Sequence, residues 1–222
     1  MIVDRRWLSL EIEIPPAEGL RLLGIKHGGR TPRSSVMSCY QEELELAGTL
    51  IAPRAVVASC LAGLPDSKTI PEDVPHALVV CTIGAELEQR VQRLNDLGDS
   101  ARAMILDAIG SAAVEELADR LNLELCERAL AEDRFPGPRR SPGYGGWALS
   151  EQRLIFELLR PSETGILLNE SCMMTPSKSI SFAMPLEGGE QVRSPRGRCA
   201  RCGMQDCEYR SIPTGERSDA IE

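Results

Sequence analysis

The chain is short of aromatic residues, of histidine and of positive charge. Only 4% of its 222 residues are Phe, Trp or Tyr, so any core it buries has to be mostly aliphatic. Lys and Arg number 25 against 33 Asp and Glu, a formal net charge of -8, which lacks the basic footprint of a general nucleic-acid binder. No run approaches the roughly 20 apolar residues of a membrane span. The first seven residues are charged and carry no apolar signal core, which places the expected location in the cytoplasm. There is no His-Glu-x-x-His, no Gly-x-Ser-x-Gly and no Gly-x-Gly-x-x-Gly, so the common zinc-protease, hydrolase and dinucleotide-fold routes to chemistry are unsupported.

The remaining composition is that of a soluble globular chain, 42% apolar and 26% charged, long enough for one large core or two small ones. Residues 8–14 alternate Leu8, Leu10, Ile12 and Ile14 with polar neighbours, which predicts a half-buried strand ended by Pro15 and Pro16. Pro16 can open a short helix over 17–23, and His27 falls in a turn that reads as solvated loop. Ser34 and Ser35 can cap a helix to about residue 46, and residues 50–61 are an apolar, β-branched stretch broken by Pro53. Residues 76–83 form a continuous apolar run between Pro75 and Gly84, the pattern of a strand buried on both faces, with Cys81 an inert thiol inside it. Residues 85–97 place Leu87, Val91 and Leu94 on one helical face, with Gly98 as the stop. The helix after Asp99 carries the small residues Ala108, Gly110, Ser111, Ala112 and Ala113. Gly110 costs that helix about 1 kcal/mol against alanine. Something therefore approaches closely there, either a neighbouring helix or a ligand, and Glu115 borders the same surface one turn on.

Residues 132–146 hold three prolines and four glycines and cannot be regular structure. Ser150 caps a helix to Leu159, which Pro161 closes off, and residues 165–174 and 179–184 read as a hairpin turned at Thr175-Pro176-Ser177-Lys178. Ser177-Lys178-Ser179 could bind phosphate, but without a Gly-rich loop before it a tight turn is the better reading. The expected fold class is α+β, a mostly antiparallel sheet with long flanking helices over residues 1–187, followed by a Cys-rich tail over 188–222.

Chemistry concentrates in Arg139-Arg140-Ser141-Pro142-Gly143-Tyr144. Arg139 offers a planar fork for a carboxylate, Pro142 and Gly143 fix a turn that lets a ligand reach the backbone, and Tyr144 supplies a flat face and a hydroxyl. With Glu115 for a cationic centre, the set could hold a zwitterionic ligand bearing an aromatic base. Residue types alone favour a plain Pro/Gly loop with solvated arginines. The same loop, the helix after it and the run Asn169-Glu170-Ser171-x-Met173-x-x-Pro176-x-x-Ser179-x-Ser181 resemble the S-adenosylmethionine-binding activation domain of cobalamin-dependent methionine synthase, as does the helix with Asp107-Ala108-Ile109-Gly110-Ser111-Ala112-Ala113-Val114-Glu115. The similarity covers residues 76–184. It implies that Arg139 holds the S-adenosylmethionine carboxylate, that the backbone around Ser141 and Gly143 contacts the ligand, and that Tyr144 sits where the ligand meets a corrinoid. It implies Glu115 as the acidic residue. It also implies reductive remethylation of a cob(II) corrinoid, with flavodoxin or ferredoxin as electron donor.

The family's corrinoid-ligating pattern Asp-x-His-x-x-Gly is absent, as is its later C-terminal segment, so the corrinoid methyltransferase would be a partner in trans. In that segment's place stands Cys199-Ala-Arg-Cys202-Gly-Met-Gln-Asp-Cys207. Its turn would converge thiolates on one ion, zinc or an iron–sulfur cluster, with Cys172 as the fourth ligand. The alternative is three reduced thiols. Cys39, Cys60 and Cys126 read as packing residues. Two functions remain open at this level: a methyl-presenting reactivator of a corrinoid methyltransferase, such as methionine synthase or a related enzyme, and a metal-bearing adaptor that docks on a corrinoid protein without binding S-adenosylmethionine.

Overall fold

The computed structural model describes residues 2–25, 32–60, 63, 64 and 66–187. In chain order the elements are β1 (Ile2–Ser9), α1 (Pro16–Leu22), α2 (Ser34–Leu50), β2 (Arg54–Cys60), β3 (His76–Thr82), α3 (Glu86–Asp96), α4 (Ser100–Ala131), α5 (Gln152–Leu159), β4 (Leu167–Leu168), β5 (Met174–Thr175) and β6 (Ser179–Pro185). Four strands form one antiparallel sheet in the order β1-β2-β3-β6. The expected α+β class with a mostly antiparallel sheet and long helices is what the chain adopts. The tail over 188–222 lies outside the described residues.

Side-chain alternation explains the layers. On one face Ala55 and Val57 of β2, Ala77, Val79 and Cys81 of β3, and Phe182 and Met184 of β6 meet Leu87 and Leu94 of α3 and Leu106, Ile109, Leu117 and Leu121 of α4. On the other face Val56, Ala58, Leu78, Val80 and Ala183 meet Trp147, Ile155 and Leu159, with Leu64 and Ile70 from the β2–β3 connection. Every residue of β3 is buried, as its unbroken apolar run predicts for a strand covered on both sides. Each fully buried Leu, Ile or Val in these two layers contributes about 1.5–3 kcal/mol.

Helix α4 is 32 residues long, about 48 Å at the helical rise. Asp99 caps it, its carboxylate accepting from the Arg102 backbone N–H at 3.3 Å. The choice left open at Gly110 resolves to a neighbouring helix. A Cβ there would stand 2.6 Å from Leu87 Cδ2 of α3 and 3.4 Å from the Lys178 side chain.

Two expectations are corrected. The first strand occupies Ile2–Ser9 rather than residues 8–14. Its ladder with β2 ends at the Ser9–Arg54 pair, because Pro53 has no N–H to continue it; only its carbonyl serves, accepting from Leu10 N at 3.3 Å. Leu10 and Ile12 still pack on the core, without strand partners. The predicted hairpin is also not formed. β4 pairs with β5 as a separate two-stranded ribbon, and β6 leaves to join β3, with Ile180 opposite Cys81 and Phe182 opposite Val79.

Candidate functional site at the free edge of the sheet

β6 is an edge strand. Its inner side pairs with β3, and toward its C-terminal end its outer side meets residue 140: Arg140 N donates to the Ala183 carbonyl and Ala183 N to the Arg140 carbonyl, both at 2.8 Å. Beside Ser179, Ile180 and Ser181 the same edge opens onto a cavity of about 710 Å³. Its other walls come from four places: Glu115 on α4, residues 139–142 with Tyr144 and Gly145, Leu149 and Gln152 at the start of α5, and the stretch Cys172, Met173 and Met174. The volume suits a ligand of nucleoside size.

One end of the cavity is charged. The Arg139 side chain is only 7% exposed, and its Nη2 lies 2.8 Å from Glu115 Oε2 and 3.0 Å from Asp119 Oδ1. Its guanidinium carbon stands 5.2 Å from the centre of the Phe182 ring. A planar cation stacked on an aromatic face and flanked by two carboxylates is fixed in position and orientation. Glu115 lines the cavity and is 43% exposed on its side chain, whereas Asp119 lies behind it at 25%. An arginine fork and an exposed carboxylate side by side can take the two charges of an α-amino acid. Leu149, Met173 and Met174 add apolar surface to the lining, as does Tyr144, whose side chain is 76% exposed.

The loop that carries these groups is held from behind. Gly143 has φ +88°, a conformation that favours glycine, and its N–H donates to the Trp147 carbonyl at 2.7 Å. Trp147 is buried, and its Nε1–H donates to Glu151 Oε2 at 2.9 Å, which also accepts from Ser67 Oγ at 2.5 Å. The tryptophan of the aromatic-bearing loop is therefore an anchor, and Tyr144 is the aromatic that faces the cavity. Glu115, Arg139, Ser141 and Tyr144 all line it; Gly143 shapes the turn without reaching the wall.

The segment 177–179 is a turn with its polar groups engaged. Ser177 N and Oγ donate to Glu88 Oε2 at 2.7 and 2.5 Å, Lys178 Nζ meets Asp107 Oδ1 at 2.7 Å and Ser111 Oγ at 2.8 Å, and Ser179 Oγ donates to the Pro176 carbonyl. Lys178 and Arg139 thus bind one polar line on α4, Asp107, Ser111, Glu115 and Asp119, spaced four residues apart.

Cys172 is buried at φ +60° and lines the cavity. Among the described residues no group of three or more His, Cys, Asp or Glu side chains could hold a metal ion. Cys199, Cys202 and Cys207 lie outside those residues. Cys60, Cys81 and Cys126 are buried free thiols, and burial raises the pKa of each, that of Cys81 to about 12, as expected of packing residues. Cys39, half-buried, is raised by the same cause. His27 also falls outside the described residues. Asp119, which pairs with Arg139, and the lining residues Gln152, Met173 and Met174 are positions that sequence reasoning passed over as candidates. Asp119 had a signal, one helical turn beyond Glu115, and Met173 had one in the run that carries the resemblance.

Fold and site together define an α+β domain with a zwitterion-sized charge pair and an apolar wall at the open edge of its sheet. The family model for the activation domain of vitamin B12-dependent methionine synthase matches residues 56–187. The chain belongs to that family. A crystal structure described as the MetH reactivation domain bound to AdoHcy superposes with a TM-score of 0.60 at 16% sequence identity, over 86% of this chain and 81% of that one, which shows the shared fold. No described helix is long and apolar enough to cross a membrane.

Proposed function

We propose that this protein binds S-adenosylmethionine in the β6-edge cavity and presents its methyl group to the corrinoid of a partner methyltransferase, methionine synthase or a relative, returning an oxidised cob(II) corrinoid to its methylated form. The observation that carries the reading is the buried Arg139, paired with Glu115 and Asp119, on the wall of a cavity that Leu149, Met173 and Met174 also line. Arg139 would take the ligand carboxylate and Glu115 its ammonium, while the nucleoside lies toward Leu149, Met173 and Met174. Tyr144, exposed on the rim, would face the corrinoid. The AdoHcy bound to the structural relative is the product that methyl transfer from S-adenosylmethionine leaves, which supports the same ligand class here.

The corrinoid cobalt on the partner would supply the nucleophile, after one-electron reduction by a flavodoxin or ferredoxin. The chain's own residues bind, orient and exclude water; none acts as a nucleophile. A metal knuckle at Cys199, Cys202 and Cys207, with Cys172, belongs to this reading as a proposal carried by the tail's Cys-x2-Cys spacing alone. The adaptor reading, in which the tail's metal is the working part, shares that observation.

The deciding experiment is calorimetric titration with S-adenosylmethionine and S-adenosylhomocysteine. One saturable site is expected. Arg139→Ala should weaken it by about tenfold or more, given about 1.4 kcal/mol per decade. Wild-type binding that Arg139→Ala leaves unchanged would remove Arg139 from the site, and absence of wild-type binding would favour the adaptor.

A further inference from the structure

The apolar wall of the cavity is attached to the sheet in an unusual way. Met173 and Met174 sit on the β4–β5 ribbon, which pairs only with itself among the described strands. The turn between its strands is internally tied: Cys172 N donates to the Asn169 carbonyl, Asn169 N to the Met173 carbonyl, and Met173 N to Asn169 Oδ1, at 2.9–3.0 Å. None of these bonds sets where the turn stands relative to β6. Two side chains of α5 hold it from outside: Arg153 Nη2 donates to the Glu170 carbonyl, and the buried Gln152 reaches both the turn and β6. Gln152, the first residue of α5 and 4% exposed, donates from Nε2 to the Cys172 carbonyl at 3.0 Å, and its Oε1 accepts from Ser181 Oγ of β6 at 2.9 Å. Gln152 and both of its partner residues line the cavity.

The chemistry of this position is selective. A carbonyl on one side requires a donor, and a hydroxyl whose proton points inward requires an acceptor. A primary amide supplies both at fixed spacing; a carboxylate supplies only the acceptor, and a thioether satisfies neither. Leaving the Cys172 carbonyl and the Ser181 hydroxyl without their partner leaves two buried polar groups desolvated and unpaired, which is unfavourable. The turn can relieve that cost by moving away from β6, which carries Met173 and Met174 with it.

We propose that Gln152 is a positioning residue for the nucleoside half of the ligand, clamping the Cys172–Met174 wall against β6 at the width the ligand needs. The proposal rests on the S-adenosylmethionine reading of the cavity. It assigns the two halves of the ligand to different residues, Arg139 and Glu115 for the amino-acid end and the Gln152 clamp for the rest.

The test uses the full chain and two probes, S-adenosylhomocysteine and 5′-methylthioadenosine, which lacks the amino-acid end. Gln152→Met, close in volume, should weaken both probes by about tenfold, whereas Arg139→Ala should weaken S-adenosylhomocysteine alone. Gln152→Glu adds a readout that packing alone would not move. At about pH 5.5 a buried neutral carboxyl can donate to the Cys172 carbonyl and accept from Ser181, and affinity should lie near wild type. At about pH 8.5 the carboxylate faces the carbonyl, and affinity should fall about fivefold or more below wild type. Glu115, Arg139, Arg140, Tyr144 and Cys172 line the same cavity in both proteins, so their titration cancels in the ratio. Should Gln152→Met fail to fold, the Gln152→Glu pair of pH values decides alone. A folded Gln152→Met with wild-type affinity for both probes would overturn the proposal, as would a Gln152→Glu deficit equal at the two pH values. Wild type that binds neither probe would instead remove the reading of the cavity itself, and the clamp with it.

Discussion

Arg139 shows how much one side chain can state and how much it withholds. Its place in an Arg-x-x-Pro-Gly-Tyr run carries the family resemblance that implies a carboxylate partner, and the same resemblance implies Glu115 on the small-residue face of its helix. That the guanidinium also stacks on Phe182 and leans on Asp119 depends on the phase of α4 against a loop 20 residues away, which local sequence does not encode. His76 gives a second residue-scale expectation. It is 3% exposed at the start of β3, and its Nδ1–H donates to the Val74 carbonyl at 2.7 Å. Burial lowers its pKa below 6.5; the carbonyl bond opposes that shift and the nearby Arg140 charge adds to it. The unfolded chain therefore takes up a proton first as pH falls. The associated stability is present above about pH 6.5 and is lost as pH drops through the lower folded value, at up to about 1.4 kcal/mol per pH unit. His76→Asn keeps a donor for Val74 without titrating. Its urea midpoint should decline less than that of wild type between about pH 7 and pH 5, and parallel declines would rule out His76 as the source.

At the scale of elements, periodicity was informative about burial and silent about partners. The unbroken run of β3 announced a doubly covered strand, and α3 with its Gly98 stop followed from spacing and turn chemistry. The hairpin was misread because β6 follows β5 after a tight turn, and adjacency in sequence suggests pairing. The strand instead takes a partner about 100 residues earlier, where β3 offers a fully buried neighbour. Gln152 was passed over for a related reason: a polar residue in an amphipathic helix reads as solvent-facing until the helix's rotation is known. Gly110 is the element-scale test. Alanine there gains about 1 kcal/mol of helix propensity. The same Cβ would stand 2.6 Å from Cδ2 of the fully buried Leu87, which must shift within the core, at a cost of about 1–3 kcal/mol. Gly110→Ala should lower the thermal midpoint; a raised midpoint would mean that α3 moves aside freely.

For the whole molecule, the fold class was legible, whereas the charged half of the candidate site was reached only through the family resemblance, because arginines in a Pro/Gly loop are by residue type more often solvated. The apolar half was not, since methionines and leucines look alike wherever they pack. The tail remains a matter of chemistry rather than geometry. Protein purified without oxygen should carry zinc or iron, with the visible absorbance of thiolate-bound iron distinguishing the two. Cys199→Ser should lower the metal content, and a metal content that survives the substitution would dissolve the knuckle.

The pairing of Arg140 with Ala183 has a consequence of a different kind. An uncovered edge strand is a template on which a second chain can add a strand of its own, and soluble proteins shield such edges. On β6 the shield is the loop that also builds the cavity. On the opposite edge, β1 relies on the charges of Asp4, Arg5 and Arg6 instead. Residues 139–144 therefore bear on colloidal behaviour as well as on the cavity, and a substitution that loosens this loop exposes a sticky margin at the same moment that it opens the pocket.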